Sequence, residues 1–205
     1  MYNTNSIDGL TSRERSAKIL IGLPVYKTIS AKTAFSLIEM IRATKRETQV
    51  LFQDGVFVHQ NQNIIAEYAI ENSFDYVLFV EHDMIFEPDT LNKLLADNKD
   101  VVCANYNFRS EPRCSMVFDK ELKNIPFKEI PKATFEAGAV PTGITLIKTE
   151  VFKKLKKPYF FYEYNEEGQM KTSQDVYFSL KARDAGFSLW CNPNIETGHL
   201  GECLY

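Results

Sequence analysis

The sequence lacks most of the features that assign a chain to a specialised class at sight. Its four cysteines, Cys103, Cys114, Cys191 and Cys203, form no C-x-x-C pair, which argues against a zinc knuckle or a thioredoxin-like centre. It has no surplus of positive charge: the formal net charge is −3, so no basic field calls for nucleic acid. No apolar run approaches the ~20 residues that span a bilayer, and the opening "MYNTNSIDGLTSRERSAK" carries no apolar signal core. The expectation is a cytoplasmic protein with reduced thiols and no transmembrane segment. There is no internal repeat and no low-complexity linker. What remains is ordinary globular usage, 44% hydrophobic and 25% charged, over a length that suits one domain with one sizeable core. The dense basic run Lys153–Lys157 reads as a solvated helix end, where cations are favoured.

Apolar strand-like runs alternate with helix-like stretches, the pattern of an α/β domain with a mostly parallel central sheet flanked by helices. "AKILIGLPV" (17–25) reads as the first strand, closed by Pro24. Ala34, Leu37, Ile38 and Ile41 recur at helical spacing over about 30–44. "TQVLFQDG" reads as the second strand with a turn at Asp54-Gly55, "NQNIIAEYAIENS" as a helix and "YVLFVE" as the third strand. A short helix begins near Pro88 and Asp89, and "DVVCANYNF" is the fourth strand. The second half is less regular: a Gly/Pro loop, a strand over 144–147, a helix from about Thr149, a helix opened by Ser173 and closed by Gly186, and a late strand "FSLWCNP". "TGHLGE" reads as a glycine-bracketed loop presenting His199. In open parallel sheets ligands bind beyond the carboxyl ends of the strands. Pro24-Val25-Tyr26, Asp54-Gly55 and Glu81-His82-Asp83 all fall at such ends.

Glu81-His82-Asp83 is the most chemical of these. Residues i and i+2 of an extended segment face one side, so Glu81 and Asp83 point together and His82 points away. Two such carboxylates repel unless a proton or a cation separates them. Mg²⁺ or Mn²⁺ suits carboxylate, water and phosphate oxygens; an acidic turn capping the next helix is the plainer alternative. His199 is a candidate additional ligand or a surface histidine. Asp175 is either a general base or an acid complementing a helix N-terminus. Thr142-Gly143 lets backbone approach a ligand. The amides of "HQNQN", Asn63 among them, can face phosphate or ribose oxygens or act as a polar cap.

Taken in order, five stretches resemble a GT-A fold glycosyltransferase of the family 2 type, over about residues 17–202. They are "ILIGLPVY", "QNQNIIAEYAIENSFDYVLFVEHDM", "GAVPTGITLIKTEVFKKL", "SQDVYFSLKARDAGF" and "NPNIETGHLG". The resemblance implies a single domain over 1–205: an N-terminal extension at 1–16, a nucleotide-binding half at about 17–108 and an acceptor-side half at about 109–205. It implies Mn²⁺ or Mg²⁺ held by Asp83 and His199. The donor site would comprise Pro24, Val25, Tyr26, Asp54, Asn63, Glu81 and His82, with Thr142 and Gly143 on the acceptor side and Asp175 as the base of an inverting transfer. The partners would be a nucleotide-sugar donor, a UDP-sugar first, and a glycan or other hydroxyl acceptor, which "YNFRSEPRCSMVF" and "PYFFYEYNEEG" would line. The chain departs from the family pattern in having E-H-D for D-x-D and Gln174 where a Glu is usual. The rival readings are a nucleotidyltransferase acting on sugar phosphates and a non-catalytic nucleotide-sugar-binding module. The former usually carries a glycine-rich basic loop after its first strand, whereas "LPVYKTIS" has no glycine and only Lys27.

Overall fold

The run KILIGLPV is apolar on both sides of its pleat, so a strand built from it needs cover on both faces. A computed structural model describes residues 17–109 and 113–201. In it this run is β1 (Lys18–Val25), buried at every position after Lys18. There follow α1 (Ala31–Ala43), β2 (Glu47–Asp54), α2 (Val58–Glu71), β3 (Tyr76–Val80), β4 (Met84–Phe86), α3 (Thr90–Ala96) and β5 (Val101–Ala104). The second half contributes β6 (Cys114–Phe118), β7 (Asn124–Pro126), β8 (Phe135–Ala137), β9 (Ile144–Lys148), α4 (Thr149–Lys154), β10 (Glu163–Tyr164), β11 (Met170–Thr172), α5 (Gln174–Asp184), β12 (Leu189–Asn192) and β13 (Thr197–His199).

The central sheet has the order β2-β1-β3-β9-β5-β12-β8. β2, β1, β3, β5 and β12 run the same way. β9 lies antiparallel between β3 and β5, and β8 is antiparallel beside β12. This is the expected mixed α/β architecture with a mostly parallel sheet. Its two faces are separately packed. Leu20, Ile65, Val77, Phe79, Phe152 and Phe178 belong to one buried cluster; Ile19, Ile21, Leu37, Leu78, Val80 and Leu94 belong to the other. Neighbouring residues of β1 and of β3 fall in opposite clusters, as period-two strand geometry requires.

Helix ends follow the local chemistry. Ser30 Oγ accepts from Lys32 N at the start of α1, and Ser173 Oγ accepts from Val176 N at the start of α5. Gly186, at φ +88°, follows the end of α5 in the left-handed conformation that glycine adopts freely. The basic run ends α4 as expected, although Lys157 pairs with Glu67 at 2.9 Å and Lys153 with Glu150 at 3.0 Å.

Two elements differ from the sequence expectation. The fourth strand stops at Ala104, because the residues after it leave the sheet and pair with β6: Met116 N donates to Tyr106 O at 2.8 Å and Phe108 N to Cys114 O at 3.0 Å. "TGHLGE" is not simply a loop, since Thr197–His199 forms β13 against the open edge of β4. Cys103, Cys114 and Cys191 are free thiols. The proposed extension at 1–16 and Cys203 lie outside the described residues. Among the described residues no helix is long and apolar enough to cross a membrane.

Candidate active site

The antiparallel placement of β9 assembles the site. Val80, the last residue of β3, pairs with Ile144, the first of β9, and Glu81 N donates to Gly143 O at 3.0 Å. The start of one strand therefore lies beside the end of another, and the Thr142-Gly143 loop meets the acidic turn. Gly143 is required by close approach: a Cβ there would stand 2.3 Å from the Tyr106 hydroxyl, which accepts from Gly143 N at 3.0 Å.

β13 supplies the other side. His199 pairs with Met84 across the β4–β13 ladder, and Leu200 N donates to Asp83 O at 2.9 Å. Glu81, Asp83 and His199 can each offer one ligand atom, all within 4.8 Å of one another. Glu81 and Asp83 do come together, through a turn at His82-Asp83 and not through the extended segment expected, and the histidine joins them. His199 Nδ1 lies 3.0 Å from the Asn107 carbonyl, which can only accept, so Nδ1 carries the proton and the Nε2 lone pair faces the carboxylates. Burial, then the nearby Arg109 guanidinium, favours the neutral imidazole. Asp83 Oδ1 is buried with no hydrogen-bond partner. Two carboxylates, one of them with an oxygen that lacks a partner, and one imidazole lone pair fit a hard or borderline divalent cation such as Mg²⁺ or Mn²⁺.

Arg109 was not singled out from the sequence. Its guanidinium bonds Asp83 Oδ2, and the same Nη2 lies 2.7 Å from His199 Nε2. It also lines a polar recess of about 370 Å³ with Asn107, Arg113, Thr197 and His199. The sequence signal was its place, with Arg113, in the "YNFRSEPRCSMVF" segment expected to line the acceptor side.

On its other side Glu81 opens into a cavity of about 400 Å³, walled by Phe108, Met116, Phe118, Tyr162 and Met170, with Asp175 on its lining. Both aromatic segments singled out from the sequence contribute to this wall. Asp175 stands in the first turn of α5, and Thr142 Oγ1 donates to its Oδ1 at 2.6 Å. Gln62 Nε2 donates in turn to Thr142 Oγ1 at 2.7 Å. Gln62, fully buried on α2, belongs to the "HQNQN" amides weighed from the sequence, but its bond to Thr142 was not foreseen. Burial pushes Asp175 up to about 6, opposed by the bonds from Thr142 and Gln62. Burial, then the Asp175 carboxylate, pushes Glu81 up to about 7, opposed by Arg109. The two acids share one low-dielectric pocket and resist ionising together.

The other anticipated residues are placed less centrally. Pro24 and Val25 are buried at the end of β1, in register with Gln53 and Asp54. Tyr26 is 52% exposed with Lys27 over its ring, and Asp54 Oδ1 accepts from Lys27 N at 3.4 Å. His82 is half exposed with its Nε2 3.9 Å from Asp83 Oδ2, while its carbonyl accepts from Ser30 N and Thr33 Oγ1, both at 3.0 Å, and so fastens α1 to the acidic turn. Asn63 is bonded to the protein at both ends of its amide. Its amide nitrogen donates to His59 O and Phe160 O, and its oxygen accepts from Tyr159 N and Phe160 N. Both ends of the amide hold the 159–160 segment in place.

No protein-family model and no curated protein matches the chain. Solved structures do. A197 from STIV superposes with a TM-score of 0.61 at 19% identity, over 91% of this chain and 86% of that one. The inositol-1-phosphate CTP transferase from T. maritima superposes with a TM-score of 0.53 at 11% identity, over 91% of this chain and 89% of that one. At such identities the likeness shows a shared α/β fold.

Proposed function

We propose that this chain is a transferase that moves a sugar from a nucleoside-diphosphate donor, a UDP-sugar first, to a hydroxyl acceptor, with a divalent ion at Glu81, Asp83 and His199. The observation that carries the reading is that Glu81 belongs to both halves of the site. It joins the cluster of possible metal ligands and lines the cavity that contains Asp175. A cation site and a candidate base thus flank one space.

Asp83 and His199, with Glu81, would hold Mn²⁺ or Mg²⁺. When bound, the ion supplies charge that stabilises the departing diphosphate. Asp175, held by Thr142, takes the proton of the acceptor hydroxyl as its oxygen bonds to the anomeric carbon. The bond from that carbon to the diphosphate oxygen breaks, and its electron pair leaves with the diphosphate. Attack opposite the leaving group gives inversion. The aromatic wall of Phe108, Phe118 and Tyr162 offers faces on which a sugar ring can stack.

The second reading is nucleotidyl transfer to a sugar phosphate, supported by the shared fold of the CTP transferase from T. maritima. Lys27 is the one basic residue directly after β1. The two reactions release different products. Incubation with Mn²⁺ and a panel of nucleotide sugars, with a mixture of hydroxyl acceptors, should release nucleoside diphosphate. Pyrophosphate release from a nucleoside triphosphate and a sugar phosphate, with no nucleoside diphosphate from any nucleotide sugar, selects the second reading.

A further inference from the structure

Arg109 stands where a cation is wanted. One of its nitrogens reaches both Asp83 and His199 Nε2, and Glu81 lies close enough for the guanidinium to lower its pKa. All three candidate ligands thus face one positive group. The lone pair of Nε2 and Oδ2 of Asp83 are donors within a divalent ion's reach, and Arg109 is bonded to both, leaving Asp83 Oδ1 as the oxygen without a partner. An ion and a guanidinium cannot share that space, because like charges a few ångströms apart in a part-buried site repel strongly. Arg109 also has somewhere to go. Its side chain is 46% exposed and borders the recess it shares with Arg113. A guanidinium fork suits phosphate oxygens as well as carboxylates.

We infer that Arg109 is an internal counter-ion that occupies the divalent cation's place before the donor arrives, and exchanges Asp83 and His199 for the donor's diphosphate when the ion enters. The inference rests on the proposed metal-dependent use of a nucleoside-diphosphate donor. It adds that metal and nucleotide bind cooperatively because one arginine stands between them. Without nucleotide, the ion competes with Arg109; with nucleotide, the displaced guanidinium gains a phosphate partner.

The test measures Mn²⁺ binding by the loss of free-ion electron paramagnetic resonance signal, first without nucleotide. UDP, GDP and CDP are then titrated separately at saturating Mn²⁺. Wild type, Arg109→Ala, Arg109→Gln and Asp83→Asn are compared, with melting curves to verify folding; Arg109→Gln keeps much of the side-chain bulk without its charge. Both arginine variants should bind Mn²⁺ alone more tightly than wild type, within the ~5–150-fold range typical of coupled sites. They should bind the preferred nucleoside diphosphate about tenfold or more weakly, a loss expected for a charge-assisted contact. Asp83→Asn should bind little Mn²⁺. Unchanged or weaker Mn²⁺ affinity in both folded arginine variants overturns the inference while leaving the metal reading intact. So does a tighter ion with unchanged nucleotide affinity. If wild type binds no Mn²⁺ with or without any of the three nucleotides, the metal reading and the exchange fall together.

Discussion

Thr142 Oγ1 donates a 2.6 Å hydrogen bond to Asp175 Oδ1, tying the loop before β9 to the first turn of α5. Because Thr142 itself accepts from Gln62 at 2.7 Å, its single proton is directed at the carboxylate. This bond favours the ionised form of Asp175 and works against the burial that lifts it to about 6. Thr142→Val should therefore raise the pKa of Asp175 further. The acid limb of the pH–rate profile should move to higher pH, with kcat/KM near pH 6 down by about tenfold and recovery toward wild type in alkali. A uniform loss at every pH would mean that the bond does not tune the base.

In the proposed transfer Asp175 must be ionised to accept a proton. Activity should rise with pH through about 6 and level above it. Asp175→Asn should lower kcat by ~10²–10⁴, the usual contribution of a positioned base, while donor binding followed by calorimetry stays near wild type. Equal losses in binding and rate would make Asp175 structural.

Asp83 carries an oxygen with no partner in the protein. Mn²⁺ with nucleoside diphosphate should raise the wild-type melting temperature, by about 2.7 kcal/mol of added stability at a ligand concentration 100-fold above Kd. Asp83→Ala should lose that increment and the ion-dependent release of nucleoside diphosphate from the donor. A retained shift would place the ion elsewhere.

Glu81 gives the metal-free protein a distinctive pH dependence. Its acid is raised from 4.5 to about 7, so between those values the folded protein keeps a proton that the unfolded chain has released. Stability should fall as pH rises through this window. Glu81→Gln has no such group to ionise. In chelator it should gain on the order of 1–2 kcal/mol over wild type at pH 8 and show a smaller difference near pH 4, measured by denaturant unfolding. A pH-independent difference would show that the cost of ionising Glu81 is not the cause.

Gly143→Ala adds a methyl group 2.3 Å from the Tyr106 hydroxyl. The ring is confined: it is buried, and it meets His199 edge-on at 5.1 Å between centroids. Destabilisation of about 1–3 kcal/mol is expected for such overpacking. Mn²⁺ affinity should weaken with it as the His199 ring shifts, whereas a change in stability with unaltered ion binding would separate the glycine from the site.

The sequence by itself determined the alternation of β1, α1, β2, α2 and β3, because hydrophobic period is a local property. It also placed Glu81 and Asp83 together at the end of β3, but the extended geometry expected there is absent: His82 and Asp83 form a turn, with Met84 N donating to Glu81 O at 3.4 Å. Ser173 and Gly186 marked the ends of α5 for equally local reasons. Only the tertiary structure decided that β9 runs antiparallel beside β3 and brings Thr142 to Asp175, and that β13 zips onto β4 and sets His199 beside Asp83. It alone showed Arg109 standing among the candidate ligands while Asn63 is committed to the 159–160 backbone. Each of these depends on contacts between segments far apart in the chain. They are set by strand pairing in the central sheet and in the separate β4–β13 pair and by side chains that meet only once the chain is folded, and no local pattern of residues encodes them.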